Sequence, residues 1–346
     1  MEAAMDMMDQ STFATFDGAA GHDGILTDPT GQMIIKPTTK AEADFYAITF
    51  AEHSEFAECI PEFQGTLSLG LTPEAEAAAA NSELIETAKL QRQQNIRGTA
   101  LKTDVAVALE NIEYGFQRPN TIDIKLGSKL YAEGTEWRKA ERLDRVAEST
   151  TSGSLNFRIA GMKVWTTNER VEYDKQYGRK FDVTNVKDGF ATFFNSVMAT
   201  LECEEAAKLL KMIEAGIRKI RYVLQQCESR MYSASLLIVY EGDPQTLQSL
   251  VAPELEKPKT MEERPKVVDR RLSLSDDSDD DIPAPVTMRV KMIDFAHAEW
   301  TPGRGSDENV IRGLRNVEKQ LEGLIETVRS PKQTSSSDHK GEHLED

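Results

Sequence analysis

The sequence predicts an α+β protein built as two lobes, and three observations lead there. The first hundred residues carry short apolar strands set between turn residues. A buried strand, Thr103–Glu110, closes that region with a change of polarity. Beyond it, long helical periodicities alternate with isolated apolar strands. At 346 residues, 39% of them hydrophobic, the chain can bury a sizeable core in two or three domains or lobes. The expected division is a smaller N-terminal lobe over 17–112 and a larger C-terminal lobe over 113–329. Disordered segments are expected at 1–16, 253–285 and 330–346.

Residues 1–16 are rich in Met, Asp and Ala without periodicity, which predicts an acidic disordered start. Gly24-Ile-Leu26 and Met33-Ile-Ile-Lys36 flank Asp28-Pro-Thr-Gly31, the turn chemistry of a hairpin. Ala41 to Ala51 reads as a helix, and Glu74–Ala80 with Gln91–Asn95 as a polar excursion. In the second lobe, Ala191 to Arg230 carries long helical patterns and Ser235 to Tyr240 an apolar strand. Residues 253–285 break that rhythm with prolines, mixed charge and Ser275-Asp-Asp-Ser-Asp-Asp-Asp281, the composition of a disordered acidic insert. Asp307 to Val328 is an amphipathic helix, with Val310, Leu314, Val317, Leu321 and Ile325 on one stripe.

Composition narrows the function classes. A net charge of −17 argues against a direct nucleic-acid binder, which would show a basic footprint. Cys59, Cys203 and Cys227 form no Cys-x-x-Cys pair, and the odd count points to reduced thiols in the cytosol or nucleus. Met1 to Gln10 holds acidic residues without Lys or Arg, unlike a secretory or mitochondrial signal. No apolar run approaches the roughly 20 residues a membrane span needs. The expectation is a soluble protein of nucleus and cytoplasm.

The chemistry concentrates in two short stretches. Pro119-Asn-Thr-Ile-Asp-Ile-Lys-Leu-Gly127 has the form Pro-x-x-x-Asp-x-Lys-x-Gly. On an extended strand its Asp123 and Lys125 share a face. A carboxylate beside an ammonium suits a site for phosphates and hydroxyls. In Met292-Ile-Asp-Phe-Ala-His297, Asp294 ends an apolar strand, which suits either a magnesium ligand or a capping carboxylate. Lys36 ends an apolar strand of the first lobe. Bilobal kinases hold phosphates with such a lysine, and an exposed edge lysine is the alternative. Across Thr135–Ala147, Arg138, Lys139, Arg142 and Arg145 fall in one helical sector. Trp137, Ala140, Leu143, Val146 and Ala147 take the other half. A basic row of this kind is either a solvated face or a receptor for a multiply phosphorylated molecule, which Arg binds in bidentate fashion. P-loop, Rossmann and His-Arg-Asp signatures are missing, as is zinc-ligand spacing.

Together these stretches resemble the inositol polyphosphate kinase family. The resemblance extends through Phe63-Gln-Gly-Thr66, Glu110-Asn-Ile112, Phe157-Arg-Ile-Ala-Gly-Met162, Tyr177-Gly-Arg179, Tyr240-Glu-Gly242 and Asp307–Leu314. It implies a bilobal kinase-like fold (ATP-grasp/protein-kinase-like), with antiparallel sheets in each lobe and a short helical inositol-binding segment. ATP and magnesium (Mg2+) are the implied cofactors and inositol phosphates the substrates. The first lobe would then be the ATP-binding one. By the same resemblance Lys36 meets the ATP phosphates, Glu110 and Ile112 meet the adenine edge, and Asp294 holds the metal. Chemistry alone makes Asp123 a general base, whereas the family pattern places it on the ribose and gives the substrate hydroxyl to Lys125. Lys139, Arg142, Arg145, Lys175 and His297 fall on substrate positions. The family's Ser-Ser-Leu-Leu element reads Ala234-Ser-Leu-Leu237 here, so no role for its first serine carries over. The short stretch between Gly127 and Gly161 resembles the multikinase branch, with the inositol hexakisphosphate kinases as the alternative. A separate expectation is that the acidic insert docks basic transcription factors, as an interaction protein would.

Overall fold

The computed structural model describes residues 14–16, 24–68, 103, 105–252 and 286–330. The expected polar excursion and acidic insert lie outside those residues, as does all of the tail after Ser330. The start of the chain needs one correction. Strand β1 (Ala14–Thr15) pairs with β2 (Leu26–Thr27), and the Phe16 amide donates to the Ile25 carbonyl at 3.0 Å. Order therefore reaches into the segment assigned to disorder.

Next come β3 (Met33–Thr38), α1 (Lys40–Glu52), α2 (Ser54–Ala57), β4 (Phe63–Ser68) and β5 (Val105–Glu110). Five antiparallel strands in the order β1-β2-β3-β5-β4 make the first sheet. The predicted turn closes its β2–β3 hairpin, with the Asp28 carboxylate accepting from the Met33 and Thr30 amides at 2.8 and 3.2 Å.

The rest of the chain runs β6 (Pro119–Leu126), α3 (Trp137–Glu148), α4 (Thr151–Leu155), β7 (Phe157–Trp165), β8 (Arg170–Tyr173) and α5 (Lys175–Gly178). Helices α6 (Val186–Phe193), α7 (Asn195–Thr200) and α8 (Cys203–Gln226) follow, then β9 (Ser229–Met231), β10 (Ser235–Glu241) and α9 (Pro244–Val251). After the insert come β11 (Met288–Ile293), β12 (Ala298–Trp300) and α10 (Glu308–Arg329). The second sheet is antiparallel in the order β11-β10-β6-β7-β8, and β9 and β12 form a ribbon. The helical pattern read through Arg230 ends at Gln226, because Cys227 is extended and the chain enters β9.

Strand β10 is buried at every position, as a strand paired on both edges and covered on both faces must be. Helices α8 and α10 pack on the sheet with their apolar stripes, joined by Arg221, which donates to both oxygens of Glu318 at 2.6 and 3.0 Å. The Tyr240-Glu-Gly242 triplet is a fastening. Glu241 accepts from the amides of Gln117, Arg118 and Asp243, and a Cβ on Gly242 would lie 2.7 Å from the Arg118 carbonyl. That triplet fixes where the chain enters β6.

The two sheets are not independent layers. Phe45 of α1 stacks on Phe295 at 4.9 Å and on Trp300 at 5.4 Å, so one aromatic core crosses between them. The result is a bilobal, kinase-like α+β fold with a cleft between the sheets, lined by Ile34 and Leu109 of the first and Leu237 and Ile293 of the second.

Candidate active site

Three strands bring the charged residues together. In register, Lys125 of β6 lies opposite Ser235 of β10, and Ser235 lies opposite Ile293 of β11, the residue before Asp294. Lys125 Nζ donates to Ser235 Oγ at 3.0 Å, to the Ser233 carbonyl at 3.3 Å and to Asp294 Oδ2 at 3.1 Å. The second serine of the altered Ser-Ser-Leu-Leu element thus holds Lys125. Asp294 has φ +67°, a left-handed conformation that aspartate tolerates better than most residues, and it is only 9% exposed. Asp123 is buried on the same strand, two residues before Lys125.

From the other sheet, Lys36 Nζ reaches Asp294 Oδ1 at 2.9 Å and Glu42 Oε1 at 2.8 Å. Glu42 also accepts from the Phe295 amide at 3.0 Å and from the Thr38 hydroxyl. This buried glutamate was missed in the sequence. Its only local signal is a carboxylate in the first turn of α1, six residues after Lys36. Burial by itself lowers the pKa of Lys36, but Asp294 and Glu42 more than reverse it, so the ammonium is held charged. Lys125 behaves likewise: burial lowers its pKa, and Asp294 and Asp123 carry it above the ordinary lysine value.

Beside this cluster lies an apolar slot. Ile34 and Leu109 of the first sheet face Leu237 and Ile293 of the second, residues 110–113 form its edge, and Lys36 and Asp294 line its inner end. Glu110 and Ile112 both belong to that edge. Flat apolar walls with a backbone rim and charges at one end suit an aromatic base carrying phosphates.

On the other side of Asp294, helix α3 begins with Glu136 accepting from the amides of Arg138 and Lys139 at 3.1 Å each. Lys139 Nζ approaches His297 Nε2 at 3.5 Å, and burial followed by the Lys139 charge lowers the histidine pKa below its usual value. Arg142 and Arg145 are exposed, and Arg145 pairs with Glu141 at 2.5 Å. Trp137 departs from the expected apolar half: it is 66% exposed, with the Arg138 guanidinium 5.2 Å from its ring centre. It stands at the first position of the helix, before the stripe reaches the core. Lys175 is exposed at the start of α5, and no contact joins it to the charged cluster among the described residues. Arg158 of β7 is a neighbour that the sequence reading left unassigned. It lies opposite Lys125 in register, and its guanidinium donates to Ser152 Oγ at 2.8 Å. Its motif, Phe157-Arg158, was the available signal.

The donor set has a definite bearing on metal binding. Among the described residues no group of three His, Cys, Asp or Glu side chains gathers around one point. Magnesium commonly uses one or two protein carboxylates and completes its shell with water and substrate phosphates. Asp294, between two ammoniums, fits that pattern and does not fit an all-protein cage.

A two-sheet cleft with a strand lysine, a buried acidic partner and an apolar base slot defines a kinase. The chain belongs to the inositol polyphosphate kinase family, whose profile matches residues 106–322. It is 32% identical to the inositol polyphosphate multikinase of Saccharomyces cerevisiae, over 86% of this chain and 94% of that protein. The multikinase of Schizosaccharomyces pombe is 29% identical over 86% and 92%. Inositol hexakisphosphate kinase 3 of Mus musculus is 30% identical over 60% and 48%. Among solved structures, the inositol phosphate multikinase Ipk2 of S. cerevisiae, in complex with ADP and Mn2+, superposes with a TM-score of 0.61. That match has 28% identity and covers 85% of this chain and all of the other.

Proposed function

We propose that this chain is an inositol polyphosphate multikinase. It transfers the γ-phosphate of ATP to hydroxyls of inositol trisphosphate and tetrakisphosphate, giving inositol pentakisphosphate. The observation that carries the reading is the Lys36–Asp294–Lys125 bridge across the two sheets, set between an apolar slot and a basic helix. Phosphoryl transfer depends on positioning and charge neutralisation more than on covalent chemistry, and this bridge supplies both.

The residue roles proposed are those the family resemblance implies. The slot takes adenine against the rim at Glu110 and Ile112, Asp123 takes the ribose, and Lys36 the ATP phosphates. Asp294 would hold magnesium, which when bound offsets phosphate charge. Lys125 touches the attacking hydroxyl and the transferring phosphate. Lys139, Arg142, Arg145, Lys175 and His297 receive the inositol phosphates. Beyond the reaction, the acidic insert docks basic transcription factors, and the protein works in nucleus and cytoplasm. No helix among the described residues is long and apolar enough to cross a bilayer.

The test is to incubate purified protein with ATP, magnesium and a panel of inositol phosphates, then resolve the products by chromatography. Tetrakis- and pentakisphosphate from the trisphosphate is the expected result. Turnover of the hexakisphosphate alone would instead favour the pyrophosphate-forming branch.

A further inference from the structure

Residues 110–116, joining the two sheets, are strung between them by side chains from both sides. On the first-sheet side, the Asn111 amide donates to the Gln32 carbonyl at 2.8 Å, and Asn111 Nδ2 to the Gly31 carbonyl at 2.7 Å. On the other side stands Arg289, the second residue of β11 and therefore on the edge strand of the second sheet. From that edge its guanidinium reaches across the sheet boundary. Nη1 donates to the Ile112 carbonyl at 2.9 Å and to the Tyr114 carbonyl at 2.5 Å. The guanidinium carbon lies 5.4 Å from the centre of the Phe116 ring, and Nε lies 3.9 Å from Glu110 Oε1.

We infer that Arg289 is a positioning residue for the nucleotide: by clamping the backbone on either side of Glu113 it sets the rim against which adenine binds. The inference rests on the proposed adenine role of Glu110 and Ile112. Within the rim the Asn111 and Glu113 carbonyls accept from the Tyr114 and Phe116 amides, whereas the carbonyls of Ile112 and Tyr114 take their donor from Arg289. A charged donor shared between two of them is stronger than a neutral one. Lysine would keep the charge but lose the planar face that lies over the Phe116 ring. Arg289 also lines a second cavity, with Glu58, Lys219 and Lys291.

The experiment uses the full-length chain and its Arg289→Ala and Arg289→Lys variants. KM for ATP is measured at saturating inositol trisphosphate, KM for inositol trisphosphate at saturating ATP, and Kd for ADP with magnesium by calorimetry. For Arg289→Ala the expected result is an increase of about tenfold in ATP KM and ADP Kd. The inositol trisphosphate KM and kcat should stay within about twofold, and Arg289→Lys should fall between. Nucleotide affinity unchanged in folded Arg289→Ala, or equal weakening of both substrates, would overturn the inference. If Arg289→Ala does not fold, Arg289→Lys decides: a several-fold weaker ADP Kd supports the clamp, and wild-type affinity overturns it. A wild-type protein that binds ADP but leaves inositol phosphates untouched would sink the proposed substrate and leave the clamp standing.

Discussion

Asp294 is the residue on which most of the chemistry converges. Its carboxylate accepts from Lys36 and Lys125, and its backbone is held in a left-handed conformation. Asp294→Asn keeps the shape and removes the charge. It should abolish magnesium-dependent turnover while circular dichroism still reports a folded protein; wild-type turnover would refute the metal role. His297 makes a second prediction. Burial and Lys139 lower its pKa below the usual 6.5, so it is neutral at neutral pH in the free protein. A phosphate beside it favours the charged imidazolium, so substrate binding takes up a proton. KM for inositol trisphosphate should therefore fall as pH drops from about 8 to about 6. Substrate phosphates titrate in the same range, so the readout is the difference from His297→Gln, which should show a flatter profile. Matching profiles would remove His297 from the substrate site. The shared face of Asp123 and Lys125 was legible from their spacing on a strand, and Asp294 from its place at the end of an apolar one. Glu42 was not, because the groups that give it meaning, at Asp294 and Phe295, lie some 250 positions away in the chain.

At the level of elements, α3 carries the substrate assignment. Replacing Arg142 and Arg145 together with Ala should raise the inositol phosphate KM and leave the ATP KM nearly unchanged. Each exposed contact is worth at most about 1 kcal/mol, so a rise of roughly tenfold is the scale to expect. A loss of ATP affinity instead would place the helix on the nucleotide. Helix α5 offers a test of packing. A Cβ on Gly178 would lie 1.9 Å from the Ile159 carbonyl, so this glycine lets α5 rest on β7. Gly178→Ala should cost about 1–3 kcal/mol by denaturant unfolding, and an unchanged midpoint would show that α5 shifts freely. Most helices and strands were readable from periodicity. The exposed Trp137 and the early end of α8 were not, since a helical wheel says which face is apolar but not where neighbours stop covering it.

For the whole molecule, the division into two sheets was visible in the change of polarity after Glu110. The seam between them was not. Phe45, Phe295 and Trp300 are separated widely in sequence and meet only in the folded chain. The acidic insert follows Ala252 and precedes Val286, so the described chain resumes at the start of β11, whose other end leads into Asp294. Deleting Lys257 to Ile282 should leave inositol phosphate turnover within about twofold while weakening capture of a basic partner. Phosphorylation at Ser273, Ser275 or Ser278 should strengthen that capture, each adding about −1.5 to −2 charges. A folded deletion protein without turnover would assign the segment to the active site.

The ammoniums of Lys36 and Lys125 and the guanidinium of Arg158 stand among three carboxylates, those of Glu42, Asp294 and Asp123. The pocket is therefore close to electroneutral, and it casts little field into solution despite holding three cations. A stray sulfate or orthophosphate gains nothing by entering, since it would have to outcompete an internal counter-anion that is already in place. On the proposed metal role of Asp294, a ligand that brings its own cation releases the lysines without leaving a bare charge behind. With that role, preference for a metal-bearing nucleotide over simple anions follows from competition for the two lysines, before any contact with the base is made.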